Sequence, residues 1–151
     1  MTKQDQTFGV LGALVGDVVG SRYEFNRIKH TDFDLFPDGA RYTDDTVCTL
    51  AIADALMRLH EDPGVDHASA IAGSLQDLCG QHPNSGYGAM FFRWLGSPDP
   101  APYDSFGNGS AMRVSPVVGF SRSDEEVLLW AERSAAVSHN HPEGIKGAQA
   151  T

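Results

Sequence analysis

The segment Thr43–Thr46 places two carboxylates and two hydroxyls in a row, within a single helical turn. It stands directly before an apolar, alanine-rich run. One interpretation is a helix cap, because Thr43 or Asp44 can accept hydrogen bonds from first-turn amides and acids are favoured at a helix N-terminus. The other is a divalent cation site, since Mg²⁺ and Mn²⁺ prefer carboxylate, hydroxyl and water oxygens. A cap needs only one acceptor, so the excess favours a cation, with further ligands supplied from elsewhere.

A second segment, Tyr103–Pro116, places Gly107 and Gly109 on either side of Asn108, just before a helical pattern. Backbone amides in such a loop can point at one anion. The alternative is an ordinary loop-to-helix turn, which glycine also favours. The Asn108 amide suits sugar hydroxyls, and the ring of Phe106 could stack on a base.

A third segment holds His139 and His141 immediately before Pro142. Proline fits the first position of a new helix, which leaves both histidines on the preceding loop. Two histidines one residue apart, without cysteines or a third imidazole, make a poor zinc site. We expect one histidine to contact a ligand or orient the loop, and the other to be structural.

Three charged residues stand apart from these segments. Asp17 lies within an apolar helical run and needs a polar partner if it is buried. Glu24 follows that run in a loop, where a solvated surface acid would need no explanation. Arg113 is either a clamp for an anion or a structural residue, and we favour the structural role.

The elements that must position these residues are all predicted to be helical. Glycines 9, 12, 16 and 20 form one stripe on a first helix, where another helix or a ligand can come close. No sustained period marks residues 21–42 or 96–108, which are predicted loops. The apolar faces of four further helices follow: Cys48, Ile52, Leu56 and Leu59; Ile71, Leu75, Leu78 and Cys79, ending at Gly80; Tyr87, Met90, Phe91, Trp94 and Leu95; and Val127, Trp130, Ala131 and Ser134, begun by a Ser123–Glu126 capping box. Since no stretch alternates as a strand does, the predicted fold class is all-α.

Composition limits the function classes. The chain has 151 residues, 41% hydrophobic and 21% charged, as in an ordinary globular domain. A formal net charge of −9 argues against a nucleic-acid-binding surface, which needs a basic face. The two cysteines, Cys48 and Cys79, lie in apolar helical patterns and are expected to be buried thiols of a reducing compartment. The apolar N-terminal run is interrupted by glycines and Asp17 and is too short to span a membrane, so a cytoplasmic location is expected.

Taken in order, four segments resemble the signature segments of the ADP-ribosylglycohydrolase family, which includes dinitrogenase reductase-activating glycohydrolase. They are "GALVGDVVGSRYE", "YTDDT", "YDSFGNGSAMRVSP" and "SHNHPEGIKGAQA". The resemblance implies an all-α, orthogonal multi-helix bundle with a centre of two Mg²⁺ or Mn²⁺ ions. It also implies a hydrolase that cleaves the glycosidic bond between ADP-ribose and an acceptor, which is either a protein side chain or a small molecule.

The resemblance carries over residue by residue. Thr43, Asp44 and Asp45 match the first metal-binding segment, and the two aspartates and Glu24 are the catalytic candidates. Glu24 matches a glutamate on a mobile loop near the distal ribose. The remaining candidates are substrate-binding: Ser105, Phe106, Gly107 and Asn108 of the diphosphate loop, with Gly109 beside them, and His139. Some relatives have a carboxylate where this chain has Ser105, next to Asp104, so the general base stays open.

One family feature is missing from the sequence. A second acidic segment, Asp-x-Asp-Thr, lies well downstream of the histidine segment in family members and supplies the remaining metal ligands. We therefore expect residues 1–151 to be a partial domain whose metal centre is incomplete without self-association or a complementing second half. Two alternatives to a hydrolase stay open: a non-catalytic ADP-ribose-binding module, and a structural protein like the eye-lens crystallins that resemble this family.

Overall fold

The computed structural model describes the backbone of residues 3–151 and the side chains from Gly9 onward. This part of the chain contains eight helices and no strand, as the all-α prediction requires. The helices are α1 (Lys3–Gly20), α2 (Asp44–Glu61), α3 (His67–Gln81), α4 (Ala89–Leu95), α5 (Gly109–Met112), α6 (Pro116–Phe120), α7 (Asp124–Ala136) and α8 (Pro142–Ala150).

Helices α2 and α3 form the centre of the core, and the other helices pack around them. Ile52 of α2 and Ile71 and Leu75 of α3 are completely buried. Val117 of α6 and Ala135 of α7 close the same apolar cluster from other sides. The core is therefore made where the predicted apolar faces meet, and it fixes the direction in which α2 presents its N-terminus.

The predicted apolar face of the helix that contains Phe91 and Trp94 is only partly confirmed. Phe91 and Trp94 are buried and their rings stack with centroids 5.4 Å apart. Tyr87, however, precedes the helix, because α4 begins after Gly88, and Met90 is 56% exposed. In a helix of only seven residues, two side chains one turn apart are enough to cover the buried side.

The predicted start of α7 is confirmed, with a small change in the cap. The Ser123 hydroxyl accepts a hydrogen bond from the Glu126 amide at 3.3 Å. The Glu126 carboxylate reaches the Arg122 amide at 2.7 Å, one residue before the position that a standard capping box would use. The Glu126 and Arg122 amides at this helix end therefore both have side-chain acceptors.

The glycine stripe of α1 is not covered by another helix. A Cβ added at Gly9, Gly12, Gly16 or Gly20 would meet no described atom within 4 Å. The neighbouring Leu11 and Val15 are about half exposed, at 50% and 52%. Searched over the described residues, the chain has no helix both long and apolar enough to cross a membrane.

Both cysteines are buried free thiols, as expected from the sequence. Cys48 of α2 and Cys79 of α3 bring their Sγ atoms to 3.7 Å, at the contact between the two central helices. They act there as small apolar side chains that allow α2 and α3 to approach closely.

The centre of the core should be sensitive to truncation. We predict that Leu75→Ala lowers the free energy of unfolding by about 2–5 kcal/mol, because it leaves a cavity between α3 and its neighbours. The matched control is Leu129→Ala on α7, where the leucine is 43% exposed and the loss should be within about 0.5 kcal/mol. Urea unfolding of the two variants measures the difference, and equal losses would contradict this placement of the core.

Candidate functional site

Asp17 of α1 holds the N-terminus of α2 in place. Its carboxylate accepts four hydrogen bonds: from the Thr43 amide at 2.7 Å and hydroxyl at 2.5 Å, and from the Thr46 amide at 3.2 Å and hydroxyl at 2.6 Å. The sequence predicted that Asp17 needs polar partners if it is buried, and these four groups are those partners. A negative charge at this position also interacts favourably with the dipole of α2.

Asp44 and Asp45 are consequently not needed as caps. Thr43 is the N-cap residue, its hydroxyl 3.4 Å from the Asp45 amide, while Asp17 supplies the negative charge. The cap interpretation of Thr43–Thr46 is thus correct for Thr43, whereas Thr46 lies inside α2 and donates its hydroxyl to Asp17. Both aspartate carboxylates remain half-buried and open into cavities.

Two adjoining cavities share Asn108 and Met112 in their walls. Asp44 lies in the first, of about 360 Å³, together with Asn108 and His139. Asp45 lies in the second, of about 630 Å³, together with Glu24 and the Gly16 and Gly20 end of the α1 stripe. The two carboxylates therefore face opposite sides of one wall.

Burial and neighbouring negative charges raise the pKa values of Asp44 and Asp45. Burial, followed by the charge of Asp45, raises the pKa of Asp44 to about 6, and Glu24 and Asp17 add to the effect. Burial, followed by the charge of Asp17, also raises the pKa of Asp45. A cation bound beside either carboxylate would offset the repulsion, because it stabilises the ionised form.

The loop that contains Gly107, Asn108 and Gly109, called the glycine loop below, packs tightly against α8 and His139. A Cβ on Gly144 would lie 2.7 Å from the Ser105 carbonyl oxygen, and one on Gly109 would lie 2.8 Å from His139 Nε2. The buried Ser110 hydroxyl donates to the Gly144 carbonyl at 2.8 Å. Only glycine allows these approaches, so both positions fix the loop beside the histidine.

The two histidines have different surroundings. His139 is buried, lines the first cavity and has its Nδ1 atom 2.8 Å from the Ser138 hydroxyl. His141 is the N-cap of α8, where its Nδ1 accepts from the Glu143 amide at 3.1 Å. Pro142 occupies the first position of that helix, as predicted.

Arg113 is structural in its contacts. It is 1% exposed, donates to the Ser134 carbonyl at 2.8 Å and the Ser138 hydroxyl at 2.9 Å, and lies over the Phe91 ring. It still forms part of the wall of the first cavity, behind His139. Its positive charge therefore contributes to the field inside that cavity without direct contact with a carboxylate.

The structure brings most of the predicted site residues together. The two cavities are lined by Glu24, Thr43, Asp44, Asp45, Ser105, Gly107, Asn108, Gly109 and His139. Phe106 lines neither cavity: its side chain is 74% exposed, and its ring stands edge-on to His141 with centroids 5.5 Å apart. Asp104 is also exposed and outside both cavities, with its amide bound to the Asn140 side chain.

The described residues of the two cavities supply some, but not all, of the ligands that a divalent cation needs. Asp44 and Asp45 offer the hard oxygen donors that Mg²⁺ and Mn²⁺ prefer, and no described basic residue forms a salt bridge with them. Among the described residues, however, no group of three or more His, Cys, Asp or Glu side chains converges as a metal site would. The donor chemistry fits a divalent cation, and the described residues do not close its coordination.

The chain is similar to known proteins over nearly its whole length. The sequence model of the ADP-ribosylglycohydrolase family matches residues 2–151. The chain belongs to that family. It is 32% identical to the ADP-ribosylhydrolase ARH3 of Mus musculus and 31% identical to that of Homo sapiens, in each case over 91% of this chain. It is 27% identical over 93% of its length to the ADP-ribosylarginine hydrolase Tri1 of Pseudomonas putida (strain GB-1).

This family member is short beside its relatives. The matched region is 44% and 45% of the two ARH3 proteins and 43% of Tri1. The chain thus spans less than half the length of the curated relatives it matches. The relatives' names describe hydrolases that act on ADP-ribosylated molecules, in one case on ADP-ribosylarginine.

Three residues that matter to the geometry were not assigned a site role from the sequence: Asp17, Ser138 and Gly144. Asp17 was recognised as needing a partner, and the partner could be identified only once α1 and α2 were packed together. Gly144 lies inside a helix, where its closeness to the Ser105 carbonyl depends on a contact across 39 residues. A buried serine such as Ser138 carries no signal in a single sequence.

We predict that Thr46→Val destabilises the folded protein by about 1.5–3 kcal/mol, because it removes one of the four hydrogen bonds that the half-buried Asp17 carboxylate accepts. Thr49→Val is the matched control, since the buried Thr49 hydroxyl makes only a 3.4 Å contact with the Met112 carbonyl. Its cost should be below about 1 kcal/mol. Urea unfolding measures both, and a smaller loss for Thr46→Val than for Thr49→Val would refute the role given to Asp17.

A second prediction concerns pH in the absence of divalent cations. The folded-state pKa of Asp44, about 6, lies above its ordinary value of 3.8, so the folded protein loses stability as pH rises through this window. Asp44→Asn lacks this titration. Its stability relative to the wild type should therefore improve on going from about pH 4 to pH 7, by on the order of 1 kcal/mol after solvent screening.

Unfolding in EDTA-containing buffers at several pH values measures this difference. Asp77→Asn, which changes an exposed acid on α3, is the control and should show no such trend. A relative stability of Asp44→Asn that falls with rising pH would show that Asp44 is not in a repulsive environment.

Proposed function

We propose that this chain binds the ADP-ribose part of an ADP-ribosylated molecule and, with Mg²⁺ or Mn²⁺, takes part in hydrolysis of the glycosidic bond that joins ADP-ribose to its acceptor. The single observation that supports the proposal is that neither Asp44 nor Asp45 is used to cap α2. Because Asp17 and the threonines complete the start of α2, two carboxylates are left facing cavities that adjoin Asn108 and His139.

The first cavity has the donors that a sugar diphosphate needs. Asn108 offers an amide beside both cavities, and the glycines at 107 and 109 leave the loop backbone accessible to a phosphate or ribose oxygen. His139 offers a ring nitrogen to the same space, and the buried charge of Arg113 lies behind it. Ser105, Phe106, Gly107, Asn108, Gly109 and His139 remain our proposed substrate-binding set, with Phe106 on the exposed outer side of the loop.

The second group of residues would hold the cations. Asp44 and Asp45 would be ligands, and Thr43 Oγ1 keeps lone pairs for a cation because its hydrogen goes to Asp17. When bound, the metal would polarise a water or a ribose hydroxyl and so make attack at the sugar easier. Glu24, exposed at the edge of the Asp45 cavity, is placed to accept a proton or to close over the ligand.

Among the described residues no group of three or more His, Cys, Asp or Glu side chains converges as a metal site would, so we propose that a second copy of the chain or a complementing second half supplies the remaining metal ligands. The half-exposed Leu11 and Val15 of α1 offer an apolar surface for either. The buried free thiols of Cys48 and Cys79 suit a reducing compartment, in keeping with a cytoplasmic location. Both a modified protein and a small ADP-ribose conjugate fit as substrates.

One other function is supported by a specific observation. Because no third metal-ligating side chain converges on Asp44 and Asp45 among the described residues, a module that binds ADP-ribose without hydrolysing it is the alternative. The crystallin-like structural role gains no support from the geometry, since it requires neither free carboxylates nor a glycine loop.

Thermal melting with Mn²⁺ alone, ADP-ribose alone and both together tests the proposal. A ligand at a hundredfold excess over its Kd stabilises the folded state by about 2.7 kcal/mol. We expect stabilisation by each ligand, and a larger effect with both because the two cavities share a wall. In Asp44→Ala and Asp45→Ala the response to Mn²⁺ should disappear, whereas Asp77→Ala should respond as the wild type does.

Release of ADP-ribose from an ADP-ribosylated protein then separates the two functions. Mn²⁺-dependent release that is lost in Asp44→Ala supports the hydrolase. Stabilisation by ADP-ribose without release, at any concentration of chain, supports the binding module. No response to either ligand would eliminate both and leave the structural role.

A further inference from the structure

A short chain of hydrogen bonds leads from a buried cation to the ring of His139. Arg113 Nη2 donates to Ser138 Oγ at 2.9 Å, and Ser138 Oγ lies 2.8 Å from His139 Nδ1. Arg113 and Ser138 are 1% and 0% exposed, so water does not compete for these contacts.

The direction of the second hydrogen bond follows from the first. A guanidinium has only donors, so Ser138 Oγ must accept from Arg113. The hydroxyl has one hydrogen, and among the described residues His139 Nδ1 is the acceptor within reach. If Nδ1 instead carried the ring proton, the Ser138 hydrogen would be buried without an acceptor, which costs about 1–3 kcal/mol.

The opposite edge of the ring faces the glycine loop. His139 Nε2 is the atom that a Cβ on Gly109 would meet at 2.8 Å, and it lies 3.9 Å from the corresponding position on Gly107. His139 Nε2 has no hydrogen-bond partner among the described residues, and the ring lines the cavity that also contains Asp44 and Asn108. The ring is therefore held at one nitrogen and open to a ligand at the other.

We propose that Arg113 and Ser138 are positioning residues that hold His139 as its neutral Nε2–H tautomer, so that a fixed N–H donor faces a phosphate or hydroxyl oxygen of the ligand at the glycine loop. The ligand in this statement rests on the proposed function, whereas the tautomer does not. Burial, followed by the charge of Arg113, lowers the pKa of His139 to about 4, which agrees with a neutral ring near pH 7. His139 then acts as a donor and not as a general acid.

Nuclear magnetic resonance of the ¹⁵N-labelled imidazoles tests the tautomer directly, because protonated and unprotonated ring nitrogens resonate far apart. His139→Gln identifies the relevant signals among the six histidines. We expect a single Nε2–H form in the wild type and in Ser138→Thr, which keeps the hydroxyl. Ser138→Ala should give a mixture of both tautomers.

Ser134→Ala is the matched control. Ser134 is also completely buried next to Arg113, but its hydroxyl donates to the Ala131 carbonyl inside α7, and only its backbone oxygen contacts the guanidinium. The Nε2–H form should persist in this variant. An Nδ1–H form in the wild type, or a single unchanged tautomer in Ser138→Ala, would overturn the proposal.

Titration with ADP-ribose tests the donor role and separates it from the proposed function. The Nε2–H signal of the wild type should shift on binding, and Ser138→Ala should bind roughly tenfold or more weakly, with Ser138→Thr restoring the affinity. Binding that leaves the Nε2–H signal unmoved would overturn the donor role. A wild-type protein that binds no ADP-ribose would overturn the proposed function, while the tautomer measurement in the free protein would still test whether Arg113 and Ser138 fix the His139 tautomer.

Discussion

The contact between Asp17 and the start of α2 is the constraint on which the rest of the site depends. One carboxylate from α1 accepts from two amides and two hydroxyls of α2, so it joins the helices and completes the helix end at once. Thr43 is the N-cap residue, and the negative charge at this helix end comes from Asp17 of another helix. Neither Asp44 nor Asp45 is therefore used in the cap, and both carboxylates stay available for a ligand.

This arrangement leaves a local excess of negative charge in the folded protein. Asp17, Asp44, Asp45 and Glu24 lie near one another, and burial, followed by this repulsion, raises the pKa values of Asp44 and Asp45. The folded state tolerates the repulsion because the apolar contacts of α2 and α3 hold the helix in place independently. The cation of the proposed function would stabilise the folded protein by removing this repulsion.

Much of the fold and most of the site could be predicted from the sequence, for reasons that differ between elements. The apolar period placed α2, α3 and α7 because each buries one face against the core. In α4 the same reasoning failed at Met90, which is exposed, because a helix of seven residues buries only two side chains. Tyr87 packs against the core as predicted, but from the loop before the helix. Local motifs identified Asp44, Asn108 and His139, but the residues that fix them act across long separations: Asp17 is 26 residues before Thr43, and Arg113 is 25 before Ser138.

The difference between local motifs and long-range contacts also explains why the sequence suggested a ligand contact for Phe106 and a structural role for Arg113. An aromatic ring in a glycine loop suggests stacking, yet the loop is pinned at Gly109 and Gly144 with its apolar ring outward, against His141. Among the described residues Arg113 has no carboxylate partner, and it is held by a carbonyl, a hydroxyl and the face of Phe91, which bury its charge without neutralising it. Arg113 and Asp44 both line the first cavity, together with Asn108 and its two flanking glycines. The sugar diphosphate of the proposed function would be matched to this charge distribution if its phosphates faced Arg113 and its cation-binding end faced Asp44.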